Sequence, residues 1–388
     1  MTGYVAAPSA TSSQRMSALA AALVMAVGMG FGRFAFTGLY PLMVHEGLLT
    51  VSDGTLAASA NYAGYLLGAL LAARLTPARA RFWSIAAVLM TCLCLAALAV
   101  LHQPWMIVVV RGVAGLFSAL SMVSASLWLL QHRAQAHSAP LLYAGVGIGI
   151  LLSAELLALG EAFGLQSPGL WLGLALAALL IGVAGIVGLD PAPATSNKTH
   201  PQHDSWHTLP MGAWCLILIY GLAGFGYIVT ATYLPLLVKN VLGPVNPIHV
   251  WAIFGLGAAP SCYLWHKLHR VLGTHKALRL NLLTQALGVV LPVLSPNAFG
   301  YMGSALIVGG TFVGTVTIAM PAARRVAHTL KVNMLAAMTA AYGVGQIVGP
   351  LVASYLYAAS GAFTSSLIAA ALALGVGAVL TVELNTGN

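Results

Sequence analysis

Apolar positions in this chain come in long unbroken runs, not in the alternation of a half-buried strand or the two-faced pattern of a soluble helix. Runs of about 18 residues or more recur from end to end, and about 20 such residues carry a helix across the hydrocarbon core of a bilayer. They predict spans near 17–44, 53–74, 82–101, 104–131, 140–163, 168–189, 210–238, 248–270, 275–295, 298–323, 332–357 and 363–383. Strands of an outer-membrane barrel would instead alternate over about ten residues. The first run is longer than the apolar core of a secretory signal and continues through Tyr40 and Pro41, so it reads as a span. The expected fold class is all-α integral membrane, with twelve transmembrane helices.

The pattern also repeats. Gly30-Phe31-Gly32 recurs as Gly224-Phe225-Gly226, and Tyr40-Pro41-Leu42-Met43-Val44 matches Leu234-Pro235-Leu236-Leu237-Val238. Both matches fall at an interval of 194 positions, half of the 388 residues. The one long polar stretch joins the halves. The chain therefore divides into an N-terminal six-helix bundle (1–189), a cytosolic linker (190–209) and a C-terminal six-helix bundle (210–388). Six spans per half leave both halves in the same orientation, a parallel repeat about an axis along the membrane normal with a site near the midplane between them.

Composition agrees with burial in lipid: 60% of the residues are hydrophobic and 6% charged, too few charges to build a water-facing surface. The formal charge of +9 raises nucleic acid as a partner, but the basic residues lie in short alternate loops. Arg15, Arg74, Arg79, Arg81, Arg133, Lys198, Lys267, Arg270, Lys276, Arg279, Arg324, Arg325 and Lys331 fall on one side and Lys239 on the other. That asymmetry places both termini in the cytosol, in a multi-pass plasma (inner) membrane protein touching anionic lipid and no nucleic acid. Cys92, Cys94, Cys215 and Cys262 lack metal-site spacing and read as small apolar residues. His200, His203 and His207 in the linker lack the partners of a metal site. No metal and no cofactor is expected. Trp83, Trp105, Trp171 and Trp214 fall at span ends, as interfacial anchors do.

The fourth span carries Ile107, Arg111, Gly115, Phe117, Ser118 and Ala119, and with the repeat it resembles the major facilitator superfamily over nearly the whole chain. The most similar branch is the YbfB/YjiJ type. The resemblance implies two pseudo-symmetric six-helix bundles, with the first and fourth spans lining a cavity and the fifth flanking it. Two superfamily motifs depart from pattern. Gly68-Ala69-Leu70-Leu71-Ala72-Ala73-Arg74 has Ala72 in place of an acidic residue, and Gly145, Gly149, Ser153 and Ala154 carry Ile150 in place of the antiporter proline. Gly345 to Pro350 in the eleventh span marks a loosened helix.

Three ionisable residues remain well inside spans: Arg33, Arg111 and Glu155. A charge at a span centre costs about 2.5 to 3.5 kcal/mol on insertion scales and normally faces a partner or water. From the rise of a helix, Arg33 lies about 24 Å above Ser17, Glu155 about 22 Å above Pro140 and Arg111 about 10 Å below Pro104, so all three are expected to meet at one level. The functional reading makes Arg33 and Arg111 binders of an anionic or polar solute, with Glu155 carrying a proton or neutralising an arginine. The bland reading is an Arg–Glu pair that fixes packing. Helical spacing aligns Arg33, Thr37 and Tyr40; Asn61 and Tyr65; Tyr227, which stands where the repeat would have Arg33, and Thr230; and Tyr342 and Gln346. Asn61, Tyr65, Tyr342 and Gln346 each read equally as a ligand contact or a helix–helix hydrogen bond. Gly64 and Gly68 form a packing seam, and Glu161 is expected in solvent.

No nucleotide-binding loop occurs. The expected function is a secondary active transporter of a small organic solute, working as a monomer by alternating access and coupled to protons. It is not expected to be an enzyme, for Glu155 stands without the clustered acids and histidines that catalysis needs. The alternative is a membrane-embedded receptor or enzyme without transport.

Overall fold

A computed structural model describes residues 12–190, 212–238, 243, 246–327 and 334–383. The expected linker lies outside the described residues beyond Asp190, with Lys198, His200, His203 and His207, as do Lys239 and Lys331. Every regular element among the described residues is helical: α1 Ser12–His45, α2 Val51–Ala72, α3 Ala80–Val100, α4 Pro104–His132, α5 Ala139–Ala162, α6 Ser167–Gly188, α7 Ala213–Val238, α8 Ile248–Leu294, α9 Ala298–Ala327, α10 Met334–Ser360 and α11 Thr364–Glu383. Short 3-10 turns precede α3 and α5.

Nine helices among the described residues are long and apolar enough to cross a membrane. The outward faces are built of leucine and valine, as in Leu172, Leu176, Leu180, Val183 and Val187 along α6. Surface of that kind is stable against acyl chains and would aggregate in water. Helices α2 and α10 are not among the nine. Polar residues interrupt both, Ser59, Asn61, Tyr62 and Tyr65 in one and Tyr342 and Gln346 in the other.

Helix α8 runs for 47 residues. An unbroken helix of that length would be about 70 Å long, more than twice the hydrocarbon thickness. Gly273, at φ 75° and ψ 172°, breaks it into arms 248–272 and 274–294. A side chain would strain that backbone; glycine adopts it freely. The break coincides with the expected turn between the spans 248–270 and 275–295.

Helix α1 departs from the simple span. Its middle, Ala26–Phe34, is wound as a π-helix. Three glycines there admit three neighbours: a Cβ at Gly28 would lie 1.7 Å from Ser121 Oγ of α4, at Gly30 2.4 Å from Gly149 Cα of α5, and at Gly32 2.7 Å from Thr91 of α3. The repeat counterpart, Gly224 of α7, meets α10 in the same way, its Cβ position being 2.5 Å from the Tyr342 carbonyl oxygen. The Gly64 and Gly68 seam packs α2 on α4, their Cβ positions lying 1.9 Å from the Gly112 oxygen and 2.3 Å from the Leu116 oxygen. Gly115 likewise admits the backbone of Asn61.

Contacts between the first and second halves of the chain run chiefly along α5 against α8 and α2 against α10. On the first seam Gly147 abuts Ala259 and Gly255 abuts Leu151; on the second Gly343 meets Leu66. Trp171 corrects an expectation. It is fully buried, not an interfacial anchor. Leu170, Trp171, Leu174, Ala175 and Ala178 form one inward stripe of α6, and the ring belongs to the core. Trp105 and Trp214 are exposed, as expected of anchors.

Candidate functional site

The widened turn of α1 presents the carbonyls of Gly32, Arg33 and Phe34 sideways, and side-chain donors meet all three. Arg111 of α4 donates from Nη1 to the Gly32 oxygen and from Nη2 to the Arg33 oxygen, both at 2.9 Å. Trp251 of α8 donates from Nε1 to the Phe34 oxygen at 3.0 Å. π-Turns inside α-helices are frequent at functional sites. Arg111 is 1% exposed, and its guanidinium lies 4.5 Å from the centre of the Phe36 ring. Asn61 adds a bond from Nδ2 to the Arg111 carbonyl at 2.9 Å. Arg111 thus clamps the backbone of α1 beside Arg33.

Arg33 is 2% exposed and differently engaged. Its Nη2 donates to Gln346 Oε1 of α10 at 2.9 Å, and the Gln346 amide donates in turn to the Tyr227 hydroxyl of α7. Nη1 and Nε have no hydrogen-bond partner. Aromatic rings surround the guanidinium instead, with Cζ 3.8 Å from the ring centre of Tyr65, 5.2 Å from Tyr62 and 5.3 Å from Phe34. The aromatic wall continues across the second half: Tyr227 stacks on Phe312 at 5.3 Å and on Tyr342 at 5.8 Å, and Phe312 meets Phe34 and Phe254.

The site therefore joins Arg33, Arg111, Asn61, Tyr65, Tyr227, Tyr342 and Gln346 from the positions expected on sequence. Thr37 sits one turn further on, donating to the Ala231 carbonyl of α7 at 3.0 Å. Tyr40 belongs elsewhere: its hydroxyl reaches the Val51 carbonyl at 2.8 Å and its ring stacks on Phe36, tying α1 to the start of α2. Thr230 is buried with its hydroxyl unpartnered. Tyr62, Phe34 and Phe312 were not singled out on sequence. Phe34 follows Arg33 in sequence, and an aromatic beside an intramembrane arginine is the signal that would have found it; Tyr62 and Phe312 have no such signal.

Glu155 does not meet the arginines. The buried stripe of α5 runs through Leu142, Gly145, Val146, Gly149, Ile150, Ser153, Ala154 and Leu157, and Glu155 lies off it. Its Oε1 is 3.0 Å from His249 Nδ1 of α8, with the two side chains 48% and 43% exposed. Its side chain turns away from the arginines that it was expected to meet. Among the described residues the other ion pair is Arg133–Asp190 at 3.8 Å, so neither Arg33 nor Arg111 has a carboxylate partner there. Glu161, expected in solvent, accepts from Asn246 Nδ2. No group of three His, Cys, Asp or Glu among the described residues is placed to hold a metal ion.

Apolar helices long enough to cross a membrane, around a buried cationic cluster reached by both halves of the chain, are the architecture of a multi-pass membrane protein. The chain belongs to the family described as uncharacterised MFS-type transporter YbfB, whose model matches residues 25–382. That is the superfamily expected from the fourth span and the repeat. No curated protein matches the chain.

Proposed function

We propose that the protein is a secondary active transporter of a small organic solute, in which two six-helix bundles, 1–189 and 210–388, rock about a site centred on Arg33. The observation that carries this reading is the chain of bonds Arg33–Gln346–Tyr227, which crosses from one half to the other at positions 33 and 227, themselves 194 apart like the repeat. A ligand held there would touch both halves, as alternating access requires. Further support comes from the equivalent packing of Gly30 and Gly224, and from the break at Gly273, which makes twelve crossings possible. The topology proposed is that of the basic loops: an inner membrane, both termini cytosolic, one chain sufficient. On that topology the outer side is closed, with Thr55 and Tyr233 in contact at 2.7 Å and Tyr233 against Phe363. Proton coupling is assigned to Glu155 with His249, which links α5 to α8 across the halves.

Solute counterflow in proteoliposomes tests the reading. Vesicles holding the full chain should exchange at least one member of a panel of anionic, neutral and cationic organic solutes. Exchange of none of them would sink it.

A further inference from the structure

We propose that the substrate is a small aromatic carboxylate, and that Gln346 occupies on Arg33 the position its carboxylate takes. This deepens the transport reading and rests on it. Two guanidinium ions are buried in the core, Arg111 on the Arg33 backbone carbonyl and Arg33 on Gln346, with no carboxylate against either among the described residues. Burial of an ion carries a desolvation cost that persists after relaxation, and a cation–π contact returns only part of it. Arg111 recovers part of the difference through two backbone carbonyls; Arg33 has one neutral amide oxygen.

The geometry separates what the rings satisfy from what they leave. Tyr65, at 3.8 Å from Cζ, engages the guanidinium from its ring face. The N–H groups point along the edges of the guanidinium plane, where Nε and Nη1 are unpartnered. Carboxylate is the group whose two oxygens match the two parallel N–H bonds of one such edge. Each two-pronged edge of a guanidinium, Nε with Nη2 or Nη1 with Nη2, includes Nη2. Nη2 has one N–H on each edge and Gln346 holds one of them, so a carboxylate that brings both oxygens to that edge displaces the amide. Displacement would free α10 from α1 and leave the Gln346 amide to Tyr227 alone. Beyond the charge, Tyr227, Phe312 and Phe34 offer ring faces and edges, which suit a flat apolar body.

Radiolabelled benzoate binding to the purified full chain in nanodiscs tests this, with benzamide as the neutral isostere, benzylamine as the cation and acetate as the ringless acid. Saturable binding is expected, competed strongly by aromatic carboxylates, weakly by acetate and not by benzamide or benzylamine. Arg33→Gln should weaken it roughly tenfold or more, the range for a lost charge-assisted pair. Because that variant loses a core charge, two others decide independently of its folding. Gln346→Ala removes the competitor and should tighten binding several-fold. Gln346→Glu supplies an internal carboxylate and should abolish binding while raising the melting temperature. Absence of saturable binding in both wild type and Gln346→Ala would overturn the proposal, as would equal competition by benzamide or undiminished binding in Gln346→Glu. If neutral or cationic solutes exchange in counterflow while benzoate fails to bind, this inference falls and the transporter reading stands; benzoate binding without any exchange does the reverse.

Discussion

Thr37 donates its hydroxyl to the backbone carbonyl of Ala231 at 3.0 Å, and the two positions are separated by 194 residues, the interval of the internal repeat. Thr37 therefore touches the place where its own counterpart in the second half stands. A two-fold relation between halves produces such self-contacts only beside its axis. Arg33 and Tyr227 lie one turn earlier at the same interval, so the proposed site is where the repeat meets itself with different side chains.

If the halves separate on the outer side during transport, a bond between Thr55 and Tyr233 should arrest it. With Cys92, Cys94, Cys215 and Cys262 replaced, the pair Thr55→Cys and Tyr233→Cys is expected to cross-link under a membrane-permeant oxidant. Counterflow should then stop and resume on reduction. Full exchange by the cross-linked protein would argue against rocking at this face.

Arg111 is expected to act on the fold before it acts on a solute. Arg111→Ala leaves the Gly32 and Arg33 carbonyls without their donors, at a cost on the order of 3 kcal/mol for two buried acceptors. Arg111→Lys keeps the charge and one donor and should lose about half as much. Melting temperatures in detergent read the order wild type, Lys, Ala; identical values for all three would remove the clamp assignment.

The α1–α5 contact leaves no room for a methyl group. At Gly149 a Cβ would stand 2.5 Å from the Ala26 carbonyl oxygen, so Gly149→Ala should cost about 1 to 3 kcal/mol through overpacking. Gly173 in α6 has no neighbour within 4 Å of the same position. Gly173→Ala should be neutral or stabilise by about 0.5 to 1 kcal/mol. Thermal unfolding of the two variants in one detergent compares them directly.

Glu155→Gln should leave stability within about 1 kcal/mol, because the pair with His249 is half exposed. Its effect belongs to energy coupling. Accumulation driven by a pH gradient should disappear while counterflow persists. Retention of uphill accumulation would remove Glu155 from the proton path.

Two tryptophans separate burial from anchoring. Trp171 is 0% exposed and Trp105 is 63% exposed. Trp171→Ala should cost about 3 to 5 kcal/mol, as for large core rings, while Trp105→Ala leaves no cavity. The melting temperature should fall by several degrees for the first and little for the second.

What the amino-acid order determined by itself are properties that run along the chain. Apolar run length located the long helices, nine of which among the described residues can cross a membrane. The 194-residue interval revealed the repeat, and the rise per residue put Arg33 and Arg111 at one level, where Arg111 does hold the Arg33 carbonyl. Rotation about each helix axis was not legible in the same way, because a span apolar on nearly every side carries little periodicity to say which face turns inward. Tertiary packing alone turned Glu155 toward His249 instead of the arginines, and drew Trp171 into the core. It also brought Phe312 from α9 and Tyr62 from α2 to the guanidinium of Arg33 and its aromatic wall. The π-turn of α1 belongs to the same class. Three glycines permit it, but only the close approach of α3, α4 and α5, with Arg111 and Trp251 satisfying the carbonyls it presents, makes it stable.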